Sequence, residues 1–169
     1  MIHTLLISAG LIAAGILCAL RWPPQATLST HIDIEATPEQ VWARLGQPES
    51  YASWNPFIVS MQGRLAVGEQ LVNVMQSSGK KAITFKPTVL TVKAPYELRW
   101  RGRLLMPGLF DGEHYFELQS HGKGTRLHHG EKFSGVLLWV MNVETFRDDF
   151  ERMNEALKVV AEAEASQSY

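Results

Sequence analysis

The pattern of apolar and polar residues changes twice along the chain, and each stretch predicts a different kind of element. Residues 2–20 carry no Asp, Glu, Lys or Arg. From Leu28 onwards, apolar and polar residues alternate with the period of two that is typical of a half-buried strand. Towards the C-terminus the apolar residues recur at intervals of three and four, which indicates an amphipathic helix. The chain is therefore predicted to contain an apolar first segment, a sheet-rich domain and a long final helix.

The first segment has the length and composition of a membrane-spanning helix. A helix over residues 2–20 would be about 28 Å long, close to the thickness of the hydrocarbon core of a bilayer. Arg21 and Trp22 follow at once, as expected where a membrane helix reaches the interface, and Pro23-Pro24 ends the helix. The positive charge of Arg21 beside the domain favours a single-pass protein whose domain lies on the cytoplasmic side.

A cleaved signal peptide is the alternative interpretation of this segment. No Lys or Arg precedes the apolar run, and Leu17-Cys18-Ala19 is a poor cleavage site. We therefore predict an uncleaved anchor over residues 1–22 and a linker over residues 23–27. One domain over residues 28–165 and a short tail over residues 166–169 complete the predicted organisation.

The domain is predicted to open with one strand and two short helices. Leu28–Glu35 alternates as the strand. Thr37-Pro38-Glu39-Gln40 combines a capping threonine, a proline at the first helical position and a glutamine that completes a capping box. Gly46 ends this helix, and a second short helix is predicted from Pro48 to Trp54.

Six further strands and a helix over Leu138–Glu164 are predicted to follow. The strands are Phe57–Leu65, Gln70–Gln76, Ala82–Lys93, Tyr96–Arg103, Gly112–Ser120 and Thr125–Ser134. Pro87 should mark a bulge or an edge, because proline cannot donate to a strand ladder. The chain is thus predicted to be α+β, with one curved antiparallel sheet of about seven strands wrapped on the final helix. Such a sheet can leave a hollow beneath the helix.

Composition narrows the classes of function. The 169 residues include 16 Lys and Arg against 17 Asp and Glu, whereas a nucleic-acid binder usually has a basic surplus. The single cysteine, Cys18, excludes an internal disulfide framework and a cysteine-rich zinc site. Hydrophobic residues make up 46% of the chain, enough for a sizeable core. We predict a domain that binds no nucleic acid, metal or cofactor.

The hairpin from Gly112 to Ser134 contains the most informative polar residues. If Gly122-Lys123-Gly124 forms its turn, four cross-strand pairs follow in register: Ser120–Thr125, Leu118–Leu127, Phe116–His129 and His114–Glu131. Alternation then directs His114, His129 and Glu131 to the apolar inner face. These three residues are the candidate catalytic groups.

Two interpretations of this cluster remain open. The cluster could hold or protonate a carbonyl-bearing ligand, or His114 and Glu131 could be a satisfied pair that orders the sheet beneath a cavity. A buried carboxylate needs a partner, so Glu131 is expected to accept a hydrogen bond from His114. His129 is then expected to be the group freer to meet a ligand. The spacing of the three residues matches no zinc motif.

Apolar residues on the inner faces are candidates for lining a pocket, with ordinary core packing as the alternative. Together with the polar cluster, the predicted ligand-binding residues are Trp54, Phe57, Trp100, His114, Phe116, His129, Glu131, Phe133, Phe146, Phe150 and Met153. Arg99, Arg101 and Arg103 are predicted to form a solvated outer face. The apolar segments 104–110 and 136–141 would form either an exposed patch at a cavity mouth or a closed lid.

Several motifs spread along the domain resemble those of a known superfamily. They are Ile34-Glu35-Ala36-Thr37-Pro38-Glu39-Gln40-Val41-Trp42, Trp54-Asn55-Pro56-Phe57, Leu98-Arg99-Trp100-Arg101-Gly102, Gly112-Glu113-His114-Tyr115-Phe116-Glu117-Leu118, Gly124-Thr125-Arg126-Leu127, His129-Gly130-Glu131-Lys132-Phe133 and Met153-Asn154-Glu155-Ala156-Leu157-Lys158. From Thr27 to Glu164 the chain is similar to the START-like, or polyketide cyclase-dehydrase and lipid-transport, superfamily (SRPBCC).

This resemblance implies a helix-grip fold and a cavity for a hydrophobic small molecule. The function it implies is binding or transfer of a lipid, a quinone or a polyketide-like molecule, without a cofactor. A cyclase or dehydratase that uses a cavity histidine as acid or base is the alternative. A second alternative is a protein-interaction module whose core is filled and holds no ligand.

Overall fold

Eight antiparallel strands form two sheets in the computed structural model, which describes residues 22–167. The strands are β1 (Gln25–Ile34), β2 (Ile58–Gln62), β3 (Val72–Met75), β4 (Ile83–Phe85), β5 (Thr88–Lys93), β6 (Glu97–Arg103), β7 (Asp111–His121) and β8 (Gly124–Ser134). The large sheet has the order β1-β8-β7-β6-β5, and the small sheet has the order β2-β3-β4. The α+β class was predicted correctly, but the prediction of one sheet of about seven strands was wrong.

The additional strand arises at Pro87, where the predicted strand Ala82–Lys93 divides. On one side of this proline β4 pairs with β3, and on the other side β5 pairs with β6. Pro87 has no amide hydrogen for a ladder, and its carbonyl accepts a 2.8 Å hydrogen bond from the Leu71 amide. The predicted irregularity is therefore the point at which the chain leaves one sheet for the other.

Two short helices follow β1, as predicted. They are α1 (Pro38–Leu45) and α2 (Tyr51–Trp54), and a 3-10 turn precedes the second. The Thr37 side chain accepts from the Gln40 amide and the Gln40 side chain accepts from the Thr37 amide, so the predicted capping box is present.

The final helix, α3 (Arg147–Gln167), begins later than the predicted Leu138. Residues 136–139 form a 3-10 turn whose first two amides donate to carbonyls of segment 104–110. A second 3-10 turn over Val143–Phe146 precedes the helix. Asn142 has an extended backbone and its side chain accepts from the Glu144 amide, so it interrupts the predicted helix and a new helical start follows it.

The long helix packs on the inner face of the large sheet. Phe150, Met153 and Leu157 of α3 are buried in one core with residues of every strand of that sheet. The β7–β8 register is the predicted one, with His114 opposite Glu131 and Phe116 opposite His129. The inner face of the hairpin therefore meets α3, and this contact positions the polar cluster.

The outer face of the large sheet carries charged pairs. Arg99 pairs with Glu97, Glu113 and Glu117, and Arg101 pairs with Glu113 at 2.8 Å. This arrangement agrees with the predicted outer face for Arg99 and Arg101, whereas Arg103 lines the cavity.

The predicted membrane anchor lies almost wholly in residues 1–21, outside the described residues. Within residues 22–167, none of the helices combines the length and apolar character that a membrane crossing requires.

Candidate functional site

A cavity of about 350 Å³ lies between the two sheets and the start of α3. Strands β6, β7 and β8 line one part of it, and β3 and β4 of the small sheet line another. Most of the lining is apolar, and such a cavity has the size and character of a site for a small molecule.

Seven of the predicted site residues line this cavity, and four do not. The seven are Phe57, Trp100, His114, Glu131, Phe133, Phe146 and Phe150. The other four are Trp54, Phe116, His129 and Met153, of which the last three are fully buried in the core. The half-buried Trp54 packs on Tyr51, away from the cavity.

Sequence reasoning missed the lining from the small sheet, chiefly Asn73, Met75 and Phe85. Asn73 is only 1% exposed, and its side-chain oxygen has no hydrogen-bond partner among the described residues. Asparagine is depleted in strands. An asparagine between the apolar residues of β3 was therefore the sequence feature that could have indicated a lining residue here.

The polar cluster continues from the cavity into the core as a chain of hydrogen bonds. Glu131 Oε2 lies 3.3 Å from His114 Nδ1, and His114 Nε2 lies 2.8 Å from His129 Nε2. His129 Nδ1 lies 2.7 Å from Asn154 Oδ1 on α3. Asn154 in turn donates to the Thr30 hydroxyl at 2.9 Å. Of the five residues that these hydrogen bonds link, only Glu131 and His114 line the cavity.

The core end fixes the direction of these hydrogen bonds as far as His114. The Thr30 hydroxyl lies 2.9 Å from the main-chain carbonyl of His129, which can only accept, so Thr30 donates to it. Thr30 therefore accepts from the Asn154 amide group, and the amide oxygen of Asn154 faces His129. His129 must then carry its hydrogen on Nδ1, which leaves Nε2 as an acceptor.

The same logic reaches the cavity carboxyl. His114 donates from Nε2 to His129. When the ring is neutral, Nδ1 therefore carries no hydrogen and can only accept a hydrogen bond. Glu131 then donates to His114 as a protonated acid. The expectation that Glu131 accepts from His114 as a carboxylate requires an imidazolium at His114, a form that the burial of this ring opposes.

Burial favours these neutral forms. Desolvation lowers the pKa of His114 to about 3 and raises the pKa of Glu131 to about 8. The pKa of His129 is also well below its usual value, because of burial and then of the neighbouring His114. Burial therefore favours a neutral hydrogen bond between His114 and Glu131 over an ion pair.

His129 is not the freer histidine that the sequence suggested. Its ring stacks between Phe116 and Phe150, with centroids 4.5 and 4.4 Å away, and both of its nitrogens have partners. The helical spacing of α3 could have predicted that Asn154 faces the core, because it lies four residues after Phe150 and three before Leu157 on the buried face.

The position of Glu131 depends on a glycine. A Cβ placed on Gly112 would overlap Glu131 Oε1. The bare backbone of Gly112 on β7 therefore provides the space that the carboxyl occupies at the cavity wall.

The cavity mouth combines positive charge with exposed apolar side chains. Lys80, Lys81 and Arg103 are exposed lining residues. Segments 104–110 and 136–141 are hydrogen-bonded to each other, as expected of a lid. Their tips nevertheless project outwards, as expected of a patch: Leu105 is 88% exposed, Trp139 64% and Val140 83%.

The chain belongs to the family described as "Polyketide cyclase / dehydrase and lipid transport", whose sequence profile matches residues 25–162. This match confirms the resemblance found in the sequence and supports a role in ligand binding or cyclisation. No curated protein matches the chain in sequence. The described residues contain no group of three or more His, Cys, Asp or Glu side chains placed to hold a metal ion.

Solved structures share the fold at low sequence identity. The ginseng major latex-like protein 151 of Panax ginseng is 11% identical, with a TM-score of 0.69 over 81% of this chain and 97% of that one. Protein CV1439 of Chromobacterium violaceum is 19% identical, with a TM-score of 0.64 over 80% and 96%. The di-domain ARO/CYC BexL of the BE-7585A biosynthetic pathway is 14% identical, with a TM-score of 0.62 over 83% and 50%. These similarities establish the helix-grip fold alone.

A protonated Glu131 predicts a specific dependence of stability on pH. The pKa of Glu131 is about 8 in the folded chain against a usual 4.5. Between these values the folded state holds the extra proton, so stability falls as pH rises. Relative to Glu131→Gln, the wild-type free energy of unfolding should fall by up to about 1.4 kcal/mol per pH unit in this window.

Denaturant titration of both full-length proteins in detergent micelles measures this difference. Both proteins contain His114 and His129, whose lowered pKa values act in the opposite direction, with stability lost as pH falls below the usual 6.5. A difference that stays constant up to about pH 8 would mean that Glu131 is ionised in the folded protein.

Gly112→Ala should displace the Glu131 carboxyl, whereas Gly102→Ala should not. The two glycines are paired across β6 and β7, and a Cβ on Gly102 meets no atom within 4 Å. Infrared spectra near neutral pH should show the carbonyl stretch of a protonated carboxylic acid in wild type and Gly102→Ala. The band should be shifted or lost in Gly112→Ala. An unchanged band in Gly112→Ala would contradict the assigned packing.

Proposed function

We propose that the protein binds or transfers a hydrophobic small molecule in this cavity while residues 2–20 hold it at a membrane. The cavity carries the proposal: its volume of about 350 Å³ and mostly apolar lining suit a lipid-like, quinone-like or polyketide-like molecule. Glu131 and His114 would fix the polar end of the ligand, and Phe57, Trp100 and Phe150 would contact its apolar part.

The hydrogen-bond chain favours binding over acid–base catalysis. If Glu131 gave its proton to a ligand, the resulting carboxylate would face the lone pair of His114 Nδ1. If Glu131 instead took a ligand proton and passed its own to His114, a buried imidazolium would form, and burial lowers the pKa of His114 to about 3. The series of hydrogen bonds also leads from the histidines to the Asn154 amide, which cannot carry a proton onwards. Both proton transfers are therefore opposed.

Membrane tethering is supported by where the apolar segment joins the domain. The Gly135 amide donates to the Pro24 carbonyl at 3.1 Å, so the chain enters β1 beside segment 136–141. Trp22, at the start of the described residues, is 73% exposed. An anchor over residues 2–20 would hold the cavity mouth near the bilayer, where Leu105, Val140 and the mouth cations suit an anionic lipid surface. The positive charge of Arg21 beside the domain favours the cytoplasmic side for the domain.

Filling the cavity should abolish ligand binding. Gly102 lines the cavity and has free space around its Cα, so Gly102→Phe should place a ring where the ligand lies. We expect 2-naphthol to bind full-length wild type in nanodiscs and to lose at least about tenfold in affinity with Gly102→Phe.

Calorimetry with empty nanodiscs as the blank measures this effect. Val159→Phe, on the exposed side of α3, is the matched control and should bind like wild type. If wild type does not bind 2-naphthol, or Gly102→Phe binds it equally well, the cavity is not a ligand site.

The anchor is tested by extraction of membranes with alkaline carbonate. The full-length chain should stay in the pellet with Met1–Leu20 intact by mass. Ile7→Asp combined with Ile12→Asp should release it, because each central charge costs about 3 kcal/mol in insertion free energy. A wild-type protein lacking this segment would establish a cleaved signal peptide. External protease on sealed vesicles would determine the side of the domain.

A further inference from the structure

The direction of the hydrogen-bond chain determines which polar function the cavity offers to a ligand. The Glu131 proton on Oε2 is used by His114 Nδ1. The other oxygen, Oε1, has no hydrogen-bond partner among the described residues and lies beside Gly112 at the cavity wall. Glu131 therefore presents an acceptor, not a donor, to the cavity.

A second acceptor lies on the small sheet. Asn73 also lines the cavity, and its buried Oδ1 has no partner within residues 22–167. A buried acceptor that finds no donor costs about 1–3 kcal/mol. The Asn73 oxygen is enclosed, whereas the Glu131 side chain is 16% exposed, so Glu131 Oε1 is the acceptor that a ligand in the cavity can reach.

Turning Glu131 to donate to a ligand would not satisfy the site. The His114 Nδ1 lone pair would lose its only donor, and His114 cannot change tautomer without placing two lone pairs between itself and His129. A ligand whose buried end is a ketone or a quinone carbonyl would therefore set one acceptor against another.

We propose that the ligand of this cavity is an apolar molecule whose buried end carries a hydroxyl group, a phenol or an alcohol, which donates to Glu131 Oε1. This inference rests on the proposed function and selects the reduced, hydroxyl-bearing members of the ligand classes considered above.

Three matched probes test the inference: 2-naphthol, its methyl ether and 2-naphthaldehyde. Their ring systems are alike, but only the naphthol donates a hydrogen bond. At about pH 6, below the pKa of about 8 for Glu131, the full-length protein in nanodiscs should bind naphthol about tenfold more tightly than either other probe. One net hydrogen bond corresponds to that ratio.

Variants assign the preference to Glu131. Glu131→Leu should remove it, so that the three probes bind alike. Glu131→Gln should retain it, because a glutamine amide can donate to His114 Nδ1 while its oxygen faces the cavity. Glu113→Gln, on the outer face of β7, is the control and should keep the wild-type ratio.

Each outcome separates the two proposals. If none of the probes binds, the proposed function fails and this inference fails with it. If the probes bind with equal affinity, or the aldehyde binds most tightly, the cavity is a ligand site but the hydroxyl inference is wrong. Loss of the preference in Glu131→Gln would mean that the acceptor is an ionised carboxylate, which also overturns the inference.

Discussion

The hydrogen bond from the Thr30 hydroxyl to the main-chain carbonyl of His129 sets the direction of the hydrogen bonds that run from Asn154 through His129 to His114. A carbonyl oxygen only accepts, so Asn154 donates to Thr30, His129 donates to Asn154 and His114 donates to His129. Burial, which favours a neutral His114, then makes Glu131 the donor to His114. Three elements contribute: β1 and α3 meet at Thr30 and Asn154, and the β7–β8 hairpin supplies the other three. The packing of α3 on the sheet therefore orients the two histidines that lead to the carboxyl at the cavity wall.

The cavity exists because the strands divide between two sheets. A single continuous sheet would bring its inner face directly against α3, as the core around Leu157 does. At Pro87 the chain instead leaves the small sheet, and Asn73 and Phe85 form a separate wall. Gly102 leaves the large-sheet side open, and its cross-strand partner Gly112 leaves the space that the Glu131 carboxyl occupies. Backbone geometry, rather than the loss of apolar residues, makes the space.

Sequence patterns predicted the parts of this site that local geometry fixes. The Gly122-Lys123-Gly124 turn sets the hairpin register, so the inward direction of His114, His129 and Glu131 followed from alternation alone. The roles within the cluster did not follow, because they depend on contacts across the fold. Asn154 reaches His129 only once α3 is docked, and the small sheet supplies Asn73 only because the strand at Pro87 divides. The prediction of helix over residues 138–146 was wrong because the extended Asn142 divides this stretch into two 3-10 turns.

A neutral cluster suits this position better than an ion pair would. A charged His114–Glu131 pair at an apolar wall would lose hydration that one 3.3 Å contact cannot replace. A protonated Glu131 and neutral histidines avoid that cost while every hydrogen bond of the chain remains satisfied. The resulting carboxyl is rigid, since turning it would leave His114 without a donor. Its free oxygen is therefore held in one place and one protonation state, as selective recognition of a ligand hydroxyl requires.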